Sequence, residues 1–380
     1  MSAHQETARR NNNWETSTLG DTCEMYQPKT ISGKDMVENG AYPVFGANGV
    51  IGRYSKFNHE EPQLLITCRG ATCGSVNISE PKSWVTGNAM VVRSKDGLIE
   101  MRFLEYLFRG GIEISKAITG AAQPQITRTN LEPLEICYPR SLDEQHRIVS
   151  ILDEAFARLA TAQANAEKNL KNARALFESY LQSVFTQRGE GWVDTTLGNV
   201  CELFQGLCIN AKTKHLLVES GDLPLLRIKD LRTNTAEQFV SKSGWPKNAR
   251  VVESEIIYTR TGQIGLVFRG RSGVLHNNCF KVKPSPILNN DYLFWWLQNP
   301  RFRTRITALA CKAAQPDITH TLFKAQSIEL PPLEYQDAAI GRIHQMREET
   351  QRLETIYQQK LAALSALKKS LLHQAFSGQI

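Results

Sequence analysis

Trp14-Glu15-Thr16-Ser17-Thr18-Leu19-Gly20-Asp21-Thr22-Cys23-Glu24 returns 178 residues later as Trp192-Val193-Asp194-Thr195-Thr196-Leu197-Gly198-Asn199-Val200-Cys201-Glu202. The shared pattern is Trp-x3-Thr-Leu-Gly-x2-Cys-Glu. Three more matches follow in the same order. Arg69-x4-Gly74 recurs as Arg260-x4-Gly265 at a shift of 191. Ala121-Ala122-Gln123-Pro124-Gln125-Ile126-Thr127 recurs as Ala313-Ala314-Gln315-Pro316-Asp317-Ile318-Thr319 at 192. Ser179-x-Leu181-x3-Phe185-Thr186 recurs as Ser370-x-Leu372-x3-Phe376-Ser377 at 191. Chance does not keep such an order, so the chain is a tandem duplication. The step from 178 to 191 places an insertion of about 13 residues in the second copy, ahead of Arg260.

Each copy changes its pattern part-way. The first stretch holds short apolar runs broken by Gly, Pro and Asn, such as Tyr42-Pro43-Val44-Phe45-Gly46, Gln63–Thr67, Val91-Val92 and Glu255–Tyr258. These have strand length and turn residues at their ends. A short helix is expected over Met101–Phe108 and again over Asp291–Leu297. After Tyr138-Pro139 and Leu330-Pro331-Pro332 the periodicity becomes helical. From Leu142 to Phe185, small or apolar residues fall at Ile148, Leu152, Ala155, Leu159, Ala162, Ala166, Ala173, Phe177, Tyr180 and Val184, with no Gly or Pro. From Leu333 to Phe376 they fall at Ile343, Met346, Leu353, Tyr357, Leu361, Leu364, Leu371 and Ala375, with Gly341 the one weak point. Spacings of three and four over many turns predict two long helices, each with one apolar seam. About 44 residues at 1.5 Å each reach roughly 65 Å. Two such helices, one per copy, are expected to pair as an antiparallel coiled coil. The fold class is therefore α+β: similar mixed α/β domains over 1–140 and 189–332, and long helices over 141–188 and 333–380. An approximate two-fold axis would set the two domains at opposite ends of the paired helices, with the helices as a ruler between two short DNA segments.

Composition narrows the function classes. The 380 residues are 41% hydrophobic and 22% charged, the make-up of a folded globular chain. No run approaches the roughly 20 apolar residues of a membrane span. The polar start, Met1 to Asn13, lacks the apolar core of a secretion signal, so a cytoplasmic protein is expected. Its eight cysteines form no C-x-x-C pair and are expected as reduced, mostly buried thiols without a zinc site. Net charge is +7, and its placement is uneven. Residues 205–330 hold 18 Lys/Arg against 9 Asp/Glu, whereas 25–140 hold 13 against 11. One basic block is the electrostatic footprint of a nucleic-acid face.

Taken together these features resemble the specificity subunit of type I restriction-modification systems. The resemblance rests on Tyr42-Pro43-Val44-Phe45-Gly46-Ala47-Asn48-Gly49-Val50-Ile51-Gly52, on Thr67-Cys68-Arg69-Gly70-Ala71-Thr72-Cys73-Gly74, and on Gly87-Asn88-Ala89. Gln-Pro-x-Ile-Thr at 123–127 and 315–319 belongs to it, as does the helix entry Pro332-Leu333-Glu334-Tyr335-Gln336. The first copy departs slightly from that entry, reading Pro139-Arg140-Ser141-Leu142-Asp143-Glu144-Gln145, and the second lacks the Tyr-Pro-Val-Phe-Gly stretch. The resemblance implies that each globular unit is a target recognition domain reading one half of a bipartite, asymmetric DNA site. It implies that the helices set the gap and dock two modification (methyltransferase) subunits. S-adenosylmethionine would then sit in those subunits, ATP and Mg in two restriction subunits, and no cofactor in this chain.

The residues support a reader without chemistry of its own. There is no N-P-P-[FYW] or D-P-P-[YF] tetrapeptide and no G-x4-G-K-[ST] phosphate loop. Pro316-Asp317 has no acid-x-Lys after it, and Glu80-x-Lys82 has no upstream partner. Base edges are read by Arg on guanine and by Asn or Gln on adenine, and phosphates by Lys, Arg, Ser and Thr. The candidates are Asn48, Arg69, Thr72, Asn88, Gln123, Gln125 and Thr127 in the first copy. In the second they are Arg227, Lys229, Arg260, Thr261, Gln263, Asn277, Asn278, Gln315 and Thr319. Arg301, Arg303 and Arg305 form a candidate phosphate track, and Trp295-Trp296 is expected in the core. The competing readings are a coiled-coil interaction scaffold without sequence-specific DNA binding, and an autonomous DNA enzyme.

Overall fold

The computed structural model describes residues 13–46, 48–120, 122–312 and 315–380. The polar start up to residue 12, and Ala47, Ala121, Ala313 and Ala314 of the repeated motifs, lie outside the described residues. The chain divides into two compact units, Met1–Glu167 with Gln359–Ile380, and Lys168–Gln358. Each unit thus takes one α/β domain and a part of both long helices.

In the first unit the strands are β1 (Trp14–Thr18), β2 (Cys23–Tyr26), β3 (Tyr42–Gly46), β4 (Gly49–Tyr54), β5 (Leu64–Thr67), β6 (Val76–Ile78), β7 (Trp84–Val85), β8 (Ala89–Ser94) and β9 (Glu135–Pro139). They form a four-stranded sheet in the order β2-β8-β5-β6, a three-stranded sheet β4-β3-β7, and the ribbon β1-β9. Strand β5 is buried at every position because both its faces are covered. Leu64 and Ile66 enter the main core with Phe103, Leu104 and Ile136. Leu65, pointing the other way by strand alternation, packs on Phe45 and Val85 of the small sheet.

The second unit carries β10 (Val193–Thr196), β11 (Cys201–Gln205), β12 (Leu217–Val218), β13 (Leu225–Leu226), β14 (Phe239–Val240), β15 (Arg250–Val251), β16 (Ile256–Thr259), β17 (Val267–Phe268), β18 (Gly273–Leu275), β19 (Cys279–Pro284) and β20 (Ser327–Leu330). Its four-stranded sheet, β11-β19-β16-β17, has the order of the first unit's strand for strand, and β10-β20 repeats the ribbon β1-β9. The missing Tyr-Pro-Val-Phe-Gly motif does not remove its strand, but β13 lies at the edge of the sheet β13-β18-β15, whereas β3 is central in β4-β3-β7. Leu225-Leu226 lies parallel to Val274-Leu275 as Val44-Phe45 lies parallel to Trp84-Val85. Two buried aliphatic residues suffice for that strand. The insertion is found just after it: 29 residues separate β13 from β16, against 17 between β3 and β5.

Both long helices form where the periodicity places them, at Leu142–Val184 and Leu333–Phe376. In the first unit the ammonium of Lys368 lies 5.2 Å from the ring centroid of Phe156. In the second, Arg174 pairs with Glu354 at 3.1 Å, and Arg347 lies over Phe177. Ascending positions on one helix therefore meet descending positions on the other, the antiparallel order. Leu353 falls off the seam and is exposed, while the neighbouring Glu354 turns inward. The three-four step lands on Thr350, Glu354 and Tyr357, so an apolar residue one place early is left outside.

Each long helix is locked to its domain by one glutamine in its first turn. Gln145 and Gln336 are both fully buried. Gln145 donates to the carbonyls of Leu98 and Pro139 at 3.0 and 2.8 Å and accepts from the Glu100 amide at 2.7 Å. Gln336 donates to Ile287 and Pro331 at 3.0 and 2.9 Å and accepts from the Asn289 amide at 2.7 Å. An amide side chain with all three bonds made can be buried without a net penalty. The helix entries, which depart slightly from each other but share Leu-x2-Gln, are thus the same device. Trp295 and Trp296 lie in the core of the second unit as expected. All eight cysteines are free thiols, four of them buried, and burial pushes Cys201 and Cys279 up to about 12.

Candidate nucleic-acid interface

The candidate residues converge on one end of each four-stranded sheet. In the first unit β5 stops at Thr67, opposite Ala89 at the start of β8. Beyond this pair the Cys68 amide donates to the Asn88 carbonyl at 3.2 Å, and the Ile126 amide to the Cys68 carbonyl at 2.9 Å. Arg69 bridges Gln125 through the backbone, and the Gly70 amide reaches the Pro124 carbonyl at 3.1 Å. The turn closes when the Gly74 amide returns to the Thr67 carbonyl at 2.9 Å. Gly74 has φ near +89°, a conformation that glycine adopts without strain. Asn48, in the turn between β3 and β4, is drawn in by the Thr67 hydroxyl, 3.3 Å from its side-chain oxygen. Asn48, Arg69, Thr72, Asn88, Gln123 and Gln125 all have exposed side chains around this junction. Thr127 caps the turn Arg128–Leu131, accepting from the Asn130 amide.

The second unit builds the same junction with different side chains. Thr259 stands opposite Cys279, and the Arg260 amide donates to the Asn278 carbonyl at 2.8 Å. The Ile318 amide donates to the Arg260 carbonyl at 2.9 Å, and Thr261 bridges Asp317 as Arg69 bridges Gln125. By register, Arg260 therefore occupies the place of Cys68, and Thr261 that of Arg69. The repeated Arg-x4-Gly is one residue out of step. The reason is the turn itself: Gly265 closes onto Thr259 over a loop one residue shorter than the one from Thr67 to Gly74.

A one-residue slip sends a side chain to the other face. Cys68 is fully buried in the core. Arg260 in that slot is about a quarter exposed and is held by Asp317, to which its Nε donates at 2.9 Å and its Nη2 makes a second, shorter bond. Nη1 donates to Gln205 at 3.2 Å, and Gln205 donates on to the Asn277 carbonyl at 2.7 Å. Gln205 and its counterpart Gln27 went unnoticed in the sequence, although a glutamine stands three residues beyond the Trp-x3-Thr-Leu-Gly-x2-Cys-Glu repeat in both copies. Gln27 reaches the Cys68 thiol, whose pKa burial raises against that hydrogen bond.

The remaining candidates of the second unit divide by their partners. Arg227 forms ion pairs with the buried Asp230 at 2.7 Å and with Glu237 at 2.9 Å. Lys229 is exposed and also reaches Glu237, at 2.6 Å. Gln263 is exposed and accepts from Arg232 at 2.8 Å, which makes Arg232 a further residue of this face. Asn277 and Asn278 are half-buried, and Gln315 is exposed. Thr319 caps the helix His320–Lys324. Burial, and next the Arg227 charge, hold His276 below the usual imidazole range, so near neutral pH it faces this cluster uncharged.

Arg301, Arg303 and Arg305 do not form one track. They lie on the helix Pro300–Ala310, where residues two apart point to nearly opposite sides. Arg301 and Arg305 share a cavity with Arg188 and Glu329, while Arg303 lines another with Glu178.

The duplication and the paired junctions fit one family. The description "Type I restriction modification DNA specificity domain" matches residues 11–171 and again residues 189–362. The chain belongs to this type I restriction-modification specificity family. It carries two copies of the DNA specificity domain. Among its relatives, the type I restriction enzyme EcoprrI specificity subunit of Escherichia coli is 29% identical over 143 residues, covering 36% of this chain and 34% of the relative. The EcoBI specificity subunit of Escherichia coli is 24% identical over 206 residues, covering 50% and 42%. The chain thus spans about a third to two-fifths of the length of these curated relatives. A structure from work on complex assembly and conformational transition of the type I R-M system aligns with a TM-score of 0.80 at 17% identity, over 97% of this chain and 99% of that one. The HsdS subunit from Thermoanaerobacter tengcongensis aligns at 0.58, also at 17%, over 97% and 98%. At such identities the likeness is one of fold. No helix among the described residues is long and apolar enough to cross a membrane.

Proposed function

We propose that this chain is the address-reading subunit of a cytoplasmic type I restriction-modification complex, and that each specificity domain reads one half of a two-part, asymmetric DNA site. The observation that carries the reading is the sheet-end junction built twice, which gathers Arg, Asn, Gln and Thr at the same turns of both domains, exposed at Arg69, Asn88 and Gln125 in the first and at Gln263, Gln315 and Thr319 in the second. Arginine forks and carboxamides match base edges in the major groove, while threonines, turn amides and lysines suit phosphates. The excess of basic residues over 205–330 supplies the general attraction for DNA.

In this reading the paired long helices set the gap between the two half-sites and dock two modification subunits. Those subunits bind S-adenosylmethionine and methylate adenine. Two restriction subunits bring ATP and Mg, and this chain contributes no chemical step. The test is to co-express the chain with the modification subunit of its own cell and to map methylated adenines. A two-part motif with a constant gap is expected. Removing four residues, about one turn, from the first long helix should change the gap and leave both half-sites alone. Methylation without a two-part motif refutes the reading. A scaffold with no DNA role predicts instead that the complex binds DNA no more selectively with this chain than without it.

A further inference from the structure

We infer that the short helix Ile228–Thr233, together with the turn it touches, is the base-reading element of the second unit, with Arg232 and Gln263 as its specificity-determining pair. The inference rests on the two-reader function proposed above and names the residues that perform it.

The two domains share their four-stranded sheet, their terminal ribbon and their junction, and a scaffold common to both cannot make the two half-sites differ. The largest departure between them is the segment after the first strand of the small sheet. In the first unit it is the hairpin from β3 to β4; in the second it is the longer insert that begins with this helix. Ile228 and Leu231 hold its underside to the buried cluster of Leu226, Val251, Ile257 and Leu275. Lys229 and Arg232, three apart on the outer side, are exposed. With its side chains an α-helix is about 10–12 Å across, which fits a major groove about 12 Å wide.

The helix is braced as a reader must be. The Asp230 carboxylate has no exposed surface and accepts from Arg227 and from the Glu237 amide. Arg271 donates to the Asp230 carbonyl at 3.3 Å, to the Asn234 side chain at 2.6 Å and to the Thr235 carbonyl at 2.7 Å. Asn234, in the left-handed conformation at φ 56°, ends the helix there. Arg227 and Arg271 are therefore positioning residues. Arg232 differs: among the described residues its side chain donates only from Nη1, to the Gln263 side-chain oxygen. That bond aligns the two groups and leaves the Nε and Nη2 edge of the guanidinium for the N7 and O6 of a guanine. Gln263 keeps its NH2 group and a second lone pair, the donor and acceptor that an adenine edge requires. Gln263 itself belongs to the turn that closes onto Thr259, so the pair joins the insert to the shared junction.

The experiment is methylation mapping with the wild-type complex, with Arg232→Ala, Arg232→Lys and Gln263→Ala, and with Lys229→Ala as a phosphate control. Wild type should give a two-part motif; its absence would overturn the function on which the inference rests. In Arg232→Ala and Gln263→Ala, one or two positions of a single half-site should lose roughly 5- to 150-fold in discrimination, with the other half and the gap unchanged. Arg232→Lys keeps the charge without the fork and should relax the same position. Lys229→Ala should weaken methylation evenly across sequences. An unchanged motif in Arg232→Ala and Gln263→Ala, or full specificity in Arg232→Lys, overturns the assignment while the two-reader function stands. Thermal unfolding of the purified complexes separates these outcomes from loss of fold, because Arg232 and Gln263 are exposed and their variants should melt with the wild type.

Discussion

At the equivalent sheet end, one unit presents an arginine to solvent and the other turns its arginine inward. Arg69 is exposed beside Gln125. Arg260, one register place earlier, occupies the slot of the buried Cys68 and is tied to Asp317. The substitutions come as a pair: where Cys68 gives way to Arg260, Gln125 gives way to Asp317, so the charge placed in the half-buried slot arrives with its counter-charge. The comparison teaches that a duplicated framework tolerates different chemistry at its working end as long as each local charge and hydrogen bond is answered.

The framework itself should respond alike in both units, and this is where the largest effect lies. Gln145→Ala and Gln336→Ala each leave two carbonyls and one amide without their partner. Each should cost about 3 kcal/mol in a urea melt of the complex. A difference of more than about 1 kcal/mol between the two would break the equivalence of the helix entries.

The next effect should appear in one unit only. Asp317→Ala leaves Arg260 a half-buried charge without its counter-ion and should destabilise by about 1–2 kcal/mol. Gln125→Ala, at the matching exposed position, should stay within about 0.5 kcal/mol. Equal costs would mean that the ion pair is not what fills the slot.

A smaller effect separates the arginines by their response to salt. Arg69→Ala should leave stability unchanged and lower the salt slope of DNA binding by up to about one charge. Arg260→Ala should lower stability more than it alters the slope, because its charge is already neutralised by Asp317. Titration of a labelled duplex at several salt concentrations checks both, and identical slopes for the two variants would erase the distinction.

The smallest effect is one of pH. Burial, and next the Arg93 charge, hold His59 of the first unit below the ordinary imidazole value. In the second unit, burial does the same to His276 and His320, aided by Arg227 and Arg260 respectively. Such groups stabilise the fold fully above the unfolded value near 6.5, and the contribution is lost as pH falls through their lower folded values. Melting temperature should therefore drop below about pH 6.5. The double variant His276→Gln with His320→Gln should flatten the drop more than His59→Gln, and the reverse order would contradict the burial of these rings.

Much of the fold is legible because repetition and periodicity are properties of the chain. The Trp-x3-Thr-Leu-Gly-x2-Cys-Glu repeat marks the start of each copy, and the three-four spacing marks both long helices. The buried strands β5 and β16 read directly as unbroken apolar runs. The helix entries were legible as Leu142-x2-Gln145 and Leu333-x2-Gln336. The task of the two glutamines was hidden, since hydrogen bonds they share reach back across more than 40 residues. The candidate residues of the interface were legible as a set, since Asn, Gln and Arg in turns attract notice. Their partners were not: Arg227 with Asp230, Arg232 with Gln263, and Arg260 with Asp317 are joined by turns, caps and register.

What the sequence by itself determined is the doubling, the strand and helix content, and the family, because these rest on local pattern repeated in order. What only the tertiary structure decided is which way each arginine points. A turn one residue shorter shifts a strand end by one place, and in a pleated strand one place is the difference between the core and the surface.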